Sequence, residues 1–327
     1  DRPWTPAERS QFRRLPAGVE SKPPVPSVEF ARLSLDLFEQ IDSNRDQSLS
    51  GRELDQGLRS DRFQGRSAAC LSTLRSFLGP LQQLDPVDAR LTRQDLKRLL
   101  ESSDAPMGSS FLRVTARQTR LEQFPGQPLS GESFDPQRLE QGYLGTCMSL
   151  ATSMNLTPEK LRSMYQDHAD GTVTVQFADG SRQQVEDLSQ NERLLHSTTK
   201  EGERWPALLE LALGQRLQQL KVGRPTSDQE PRAYLNQGQP AEVIFPLLLG
   251  YPGRTWATAG LSPEQVRGLL EASLERGAVV AGSEPALDNG IVDNHAYQVV
   301  AFDPEGDRVT LANSFGNTHW NGANDSQ

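Results

Sequence analysis

Cys147 is one of only two cysteines in the chain, in the segment QGYLGTCMSLATSM (141–154), where a glycine-containing loop meets a mixed apolar run. A cysteine nucleophile needs a base to take its proton, a group that orients the base, and donors for an oxyanion. Four histidines are available, at 168, 196, 295 and 319. His168 lies in the polar stretch QDHADG, and His196 follows Leu194 and Leu195 before a polar loop. His295 opens a strong strand pattern, HAYQVVAF (295–302), and RVTLAN (308–313) follows across the turn DPEGD. If Phe302 faces Arg308, then Tyr297 faces Asn313, and His295 is its diagonal neighbour on the same sheet face. A carboxamide beside an imidazole fixes the ring's tautomer. The competing roles are a buried structural thiol for Cys147, the commoner fate of a lone cysteine, and a hydrogen-bonded strand-end histidine for His295.

A second chemistry lies in DSNRDQSLSGRE (42–53). Asp42, Asn44, Asp46 and Ser50 place side-chain oxygens at loop positions 1, 3, 5 and 9, and Glu53 stands at position 12. This is the order of an EF-hand calcium loop, between two amphipathic helices. A large hard cation takes six to eight oxygens, so the Ser48 carbonyl and both Glu53 oxygens complete the set. Leu49 at position 8 is the apolar residue that pairs with a partner loop. Ser50 and Glu53 also form a capping box, which needs no metal but does not explain the alternating Asp42, Asn44 and Asp46. Gln47 occupies position 6, where glycine normally makes the sharp turn, and weaker affinity is expected. The partner loop, DPVDARLTRQD (85–95), is degenerate: Val87 and Ala89 stand where ligands belong.

These residues need elements to position them. The first 27 residues carry six prolines and read as an extended arm. Phe30, Leu33, Leu37, Phe38 and Ile41 then mark one face of a helix. A second helix follows Ser50, and others run through 67–78 and 92–101. Residues 105–133, with Pro125, Gly126, Pro128 and Gly131, read as a linker. Beyond 134 helices and strands mix. TVTVQF (172–177) alternates, and Asp179-Gly180 turns it into a hairpin. Thr157-Pro158 and Ser262-Pro263 are helix starts, and a further helix spans 205–220. The organisation expected is an arm (1–27), a helical loop pair (28–104), a linker (105–133) and an α+β core (134–327).

Composition narrows the partners. The net charge of −9 argues against nucleic acid and anionic membranes. No apolar stretch approaches a membrane span; the longest, VIFPLLL (243–249), is broken by Pro246. Two cysteines in regions of different character argue against a disulfide framework and leave the redox compartment open. The chain begins at Asp1, so a removed leader would be invisible, and the sequence carries no address.

QGYLGTCMSLA (141–151), NHAYQVV (294–300) and NSFGNTHWNG (313–322), in that order, resemble the calpain-like cysteine proteases, whose core is papain-like. DGTVTVQFADGSRQQVEDL (170–188) is similar to the family's strand pair, and HSTTKEGERWPALLELAL (196–213) to its Trp-containing helix. The resemblance covers roughly 134–324. It implies an α+β papain-like core, with a helical and an antiparallel β subdomain, behind an all-α EF-hand domain. Cys147 is then the nucleophile, His295 the general base and acid, Asn313 the orienter, and Gln141 a side-chain donor to the oxyanion hole. A helix N-terminus and an imidazolium lower a thiol from its usual pKa of ~8.5.

The family pattern is broken at Thr146, Met148 and Phe315, where an acid, an aromatic residue and a tryptophan are usual. The implied activity is calcium-regulated peptide hydrolysis through an acyl-enzyme. The alternative is a catalytically weak or inactive module that binds proteins in a calcium-dependent way. A transglutaminase uses an aspartate orienter, which Asn313 disfavours. The partner expected is a protein or peptide substrate, with the Pro-rich arm a candidate for self-inhibition. A need for high calcium would favour an extracytoplasmic location over the cytoplasm.

Overall fold

The computed structural model describes residues 26–82, 90–101, 106–123, 129–222, 231–235, 238–283 and 291–315. Most of the arm, Asp85, Val87 and Ala89 of the second loop, and His319 and Trp320 lie outside these residues. The chain is a mixture of helices and small antiparallel sheets. It forms two compact units, Asp1–Pro125 with Leu188–Leu195, and Gly126–Asp187 with His196–Gln327. Among the described residues no helix is long and apolar enough to cross a membrane.

The first unit is helical. Helix α1 (Pro26–Ile41) buries Phe30, Leu37, Phe38 and Ile41, the stripe expected of a helix with one apolar face. Strand β1 (Ser48–Leu49) ends the loop that follows, and α2 (Gly51–Arg59) buries Leu54 and Leu58. Helix α2 starts at a complete Ser50–Glu53 capping box. Helix α3 (Arg66–Ser76) lies close against α2: a Cβ at Gly57 would stand 2.4 Å from Leu71 Cδ2. The short α4 (Leu78–Gln82) follows, then β2 (Leu91–Thr92) and α5 (Arg93–Glu101). Strands β1 and β2 pair antiparallel, with Leu49 opposite Leu91.

Two features of this unit differ from the sequence expectation. The stretch read as a linker contains α6 (Pro106–Gln123), which buries Phe111, Val114 and Leu121 and packs on α1 and α3. The Phe111 ring lies 5.7 Å from Phe30. The second is Leu188–Leu195, read as part of the core, which packs within this unit. Ser189 Oγ donates to the Leu58 carbonyl (3.2 Å), Asn191 Nδ2 to the Phe63 carbonyl (2.6 Å), and Arg59 pairs with Glu192 (2.9 Å).

In the second unit, β3 (Leu139–Glu140) leads to α7 (Cys147–Ser153) and α8 (Pro158–Ser163). A three-stranded sheet follows, made of β4 (Tyr165–Asp167), β5 (Thr172–Gln176) and β6 (Arg182–Glu186). Strands β5 and β6 form the expected hairpin, with Gln176 opposite Arg182 and Gly180 at φ 84° in its turn. Strand β7 (Thr198–Thr199) pairs with β3 and precedes α9 (Trp205–Leu220).

Trp205 is fully buried and stacks on Phe134 at 5.9 Å. The Glu132 carboxylate accepts the Arg204 and Trp205 N–H groups (2.9 and 3.0 Å). It thereby satisfies donors that a helix start leaves unpaired. After α10 (Ala241–Leu249) and α11 (Pro263–Leu274) comes a second three-stranded sheet, in the order β10 (Arg308–Asn313), β9 (Ala296–Asp303), β8 (Val280–Gly282).

Candidate functional site

The β9–β10 register brings the first candidate pair together, by a route the sequence did not contain. Arg308 faces Asp303, not Phe302, so the pairing assumed at the turn is one residue out. Between Thr310 and Leu311 the register shifts, leaving Val300 as an extra residue on β9. Such a bulge re-aims every side chain beyond it. Leu311 then faces Val299, and Asn313 faces Tyr297. The two displacements cancel at the site.

His295 Nε2 lies 2.8 Å from Asn313 Oδ1, which also accepts the Phe315 backbone N–H (2.9 Å). An amide oxygen accepts only, so Nε2 carries the hydrogen and Nδ1 is left as the ring's proton acceptor. His295 is 5% exposed. Its ring stacks on Phe315 at 4.4 Å and meets the edge of Tyr297 at 4.9 Å. Its backbone N–H donates to Ser283 Oγ (3.0 Å), and Tyr297 Oη accepts the Val292 N–H (2.8 Å). Rings and hydrogen bonds together leave the imidazole little rotational freedom.

Cys147 is the first residue of α7 and is partly exposed. Helix α7 packs against β9, and Gln298 Nε2 donates to the Met154 carbonyl at the helix end (2.9 Å). At the other end, the Gln141 backbone N–H donates to the Ser314 carbonyl (2.7 Å), and Ser314 Oγ donates to Gln141 Oε1 (2.9 Å). Gln141 thus stands beside the residue that follows Asn313. One of its side-chain N–H bonds goes to the Leu144 carbonyl (2.9 Å).

Residues that motif spacing did not single out hold this loop. Gln239 Nε2 donates to the Gly145 carbonyl (2.9 Å), and Ser149 Oγ donates to Gln239 Oε1 (3.0 Å). Thr146, at the N-cap of α7, makes no side-chain cap and turns its hydroxyl to Glu210 Oε1 (2.7 Å). Burial works against ionisation of Glu210, yet His196 and the Ser197 and Thr146 hydroxyls hold its carboxyl below the usual range. The only sequence signal for Glu210 was its place in the Trp-containing helix.

The other cysteine has a different setting. Cys70 is fully buried, 3.3 Å from Ser34 Oγ, and burial pushes its thiol up to about 12 against the opposing Ser34 hydrogen bond. It behaves as a small core side chain.

In the acidic loop, backbone N–H groups converge on carboxylates. Asp42 accepts from Asp46 N–H (3.1 Å) and Gln47 N–H (3.0 Å), and Glu53 from Ser43 N–H (2.9 Å) and Ser50 N–H (3.0 Å). Asn44 Oδ1 accepts the Asp46 N–H (2.9 Å), and the Ser48 hydroxyl and N–H hold the Asp46 carboxyl below its ordinary pKa. Gln47 adopts φ 67°, the left-handed turn normally given to glycine. Asp42 and Glu53 are 2% and 5% exposed, and among the described residues neither forms an ion pair. Buried carboxylates without a basic partner suit a cation. Among the described residues, no three His, Cys, Asp or Glu side chains stand together as a ready-made metal cluster. A site here therefore also needs Asn44, Ser48 and Ser50. In the partner loop, Asp95 accepts the Thr92 N–H (2.8 Å) and pairs with Arg98 (3.1 Å).

No family model matches this chain, and no curated protein does either.

Proposed function

We propose that this chain is a calpain-like cysteine endopeptidase whose helical unit binds calcium through an EF-hand loop. The His295–Asn313 hydrogen bond carries the reading, because it puts the ring hydrogen on Nε2 and makes Nδ1 the basic nitrogen that a thiol needs. In this scheme His295 Nδ1 takes the Cys147 proton, and the thiolate attacks the scissile carbonyl carbon. The resulting oxyanion lies at the start of α7, with the Cys147 N–H and the Gln141 amide as its donors. Collapse breaks the C–N bond, and the amine leaves with the proton from His295. Water, deprotonated by His295, then attacks the thioester; the acid departs and the thiol is regenerated.

Asp42, Asn44, Asp46, Ser48, Ser50 and Glu53 would hold calcium in this reading. The ion would supply a fixed positive charge that ties the loop to α2. The papain-like core, the EF-hand pairing of the two loops and the peptide substrate all belong to this proposal.

A peptidyl epoxide or chloromethyl ketone tests the reading in the native protein. One equivalent is expected on Cys147 and none on Cys70, as mapped by peptide mass. A Cys147 that takes no label overturns the hydrolase reading. It favours instead a protein-binding module without catalysis, the role suggested by the engagement of Gln141 Nε2 with Leu144.

Phe315 covers the imidazole and donates its N–H to Asn313. Phe315→Ala is expected to weaken the His–Asn hydrogen bond by about 1.4 kcal/mol, a tenfold loss of kcat/KM. Phe315→Trp should retain activity. Peptide hydrolysis by both variants checks this, and equal rates would discard the shielding role.

A further inference from the structure

Behind the nucleophile lies a buried cluster that the hydrolysis scheme does not use. Glu210, on α9, has no exposed surface, and neither has His196. Glu210 Oε2 accepts the Ser197 backbone N–H (2.9 Å) and faces His196 Nδ1 (2.9 Å). Glu210 Oε1 accepts the Thr146 hydroxyl (2.7 Å) and the Ser197 hydroxyl. Ser197 Oγ in turn accepts the Gly142 N–H (3.1 Å). One carboxylate therefore reaches both ends of the segment Gly142–Thr146, which leads directly into Cys147.

Thr146 sharpens the point. A threonine at a helix N-cap ordinarily spends its hydroxyl on the helix's own N–H groups. Here that hydroxyl is given to Glu210, while the Thr146 N–H donates to the Leu144 carbonyl (2.8 Å). The start of α7 is held from outside the helix. A fully buried carboxylate is costly unless donors surround it, and four donors surround this one.

We propose that Glu210 is a positioning residue, which fixes the loop carrying Cys147 and its oxyanion donors through the hydroxyls of Thr146 and Ser197. The inference rests on the cysteine-hydrolase reading and extends it to a residue that acts through Thr146 and Ser197. A misplacement of about 1 Å in such a loop costs about a hundredfold in rate.

The test uses the full chain, iodoacetamide as the probe, and the alkylation rate of Cys147 followed from acid to alkaline pH. Thr146→Val removes one hydroxyl at nearly constant volume, Glu210→Gln removes the charge at constant shape, and Thr146→Ser restores the donor. Thr146→Val and Glu210→Gln are expected to lower the neutral-pH rate by about tenfold or more and to move the pH midpoint upward. Thr146→Ser should stay within about twofold of wild type in rate and unshifted in midpoint.

Wild-type rates and midpoints in Thr146→Val and Glu210→Gln overturn the assignment. So does a loss that tracks melting temperature across all three variants with no shift of the midpoint, since that is a structural role only. A wild-type Cys147 that reacts like an ordinary free thiol overturns the hydrolase reading, and the assignment falls with it. A reactive wild type with unaffected variants removes the assignment alone.

Discussion

Cys147→Ala is expected to abolish peptide hydrolysis, with kcat/KM falling by roughly 10⁴-fold or more, as when a triad loses its nucleophile. His295→Ala should fall to the same floor, because the thiol then has no base at Nδ1 and the leaving amine no acid. The double variant should be no worse than either single one, since the two groups act as a unit and their losses do not add. Asn313→Ala should cost less. The imidazole keeps the Tyr297 and Phe315 rings, at 4.9 and 4.4 Å, to hold it while it loses the partner that sets its tautomer. A fluorogenic peptide assay on purified variants, with melting curves to confirm folding, checks the series. Turnover retained in Cys147→Ala would sink the mechanism, and additive losses in the double variant would separate Cys147 from His295.

The site was legible in the sequence where a short period and a specific chemistry coincide. The hairpin that carries His295 and Asn313 shows how far that goes. Alternation predicted two strands, and the site pairing of Asn313 with Tyr297 emerges, although the turn is one residue out and Val300 is bulged. A bulge has no local residue signature in HAYQVVAF, so its presence could not be read there. Helix α6 was missed for a different reason. Its stripe of Phe111, Val114 and Leu121 stands between stretches whose prolines and glycines signal loop.

Long-range polar partners were the least legible. Gln239 reaches Gly145 and Ser149, and Glu210 reaches Thr146, across 64 to 94 positions of chain. Nothing in the local pattern of a glutamine or a helical glutamate announces such a partner. Leu188–Leu195 also carries no composition shift to mark that it packs in the helical unit. Its Asn191 and Glu192 find partners in Phe63 and Arg59 only through the fold.

Calcium should stabilise the helical unit, and Glu53→Gln should remove that effect. Binding to the folded state alone contributes about 2.7 kcal/mol at a hundredfold excess over Kd, so the melting temperature should climb with calcium concentration. Glutamine keeps an acceptor for the Ser50 N–H, and a capping box accepts it, so the metal-free variant should fold. What it loses is one carboxylate charge of the proposed calcium set, and with it the expected calcium dependence.

Gln47→Gly is the opposite arm. A glutamine held at φ 67° carries roughly 1–3 kcal/mol of backbone strain that glycine lacks. The glycine variant should therefore respond at lower calcium. Magnesium should act far more weakly, because it demands a tighter octahedron than this loop of spaced oxygens offers. Melting curves with calcium, magnesium and chelator distinguish these outcomes, and peptide turnover in the same samples separates a regulatory ion from a stabilising one. A wild type whose melting point ignores calcium would remove the ion from the proposal while leaving the Cys147 chemistry intact.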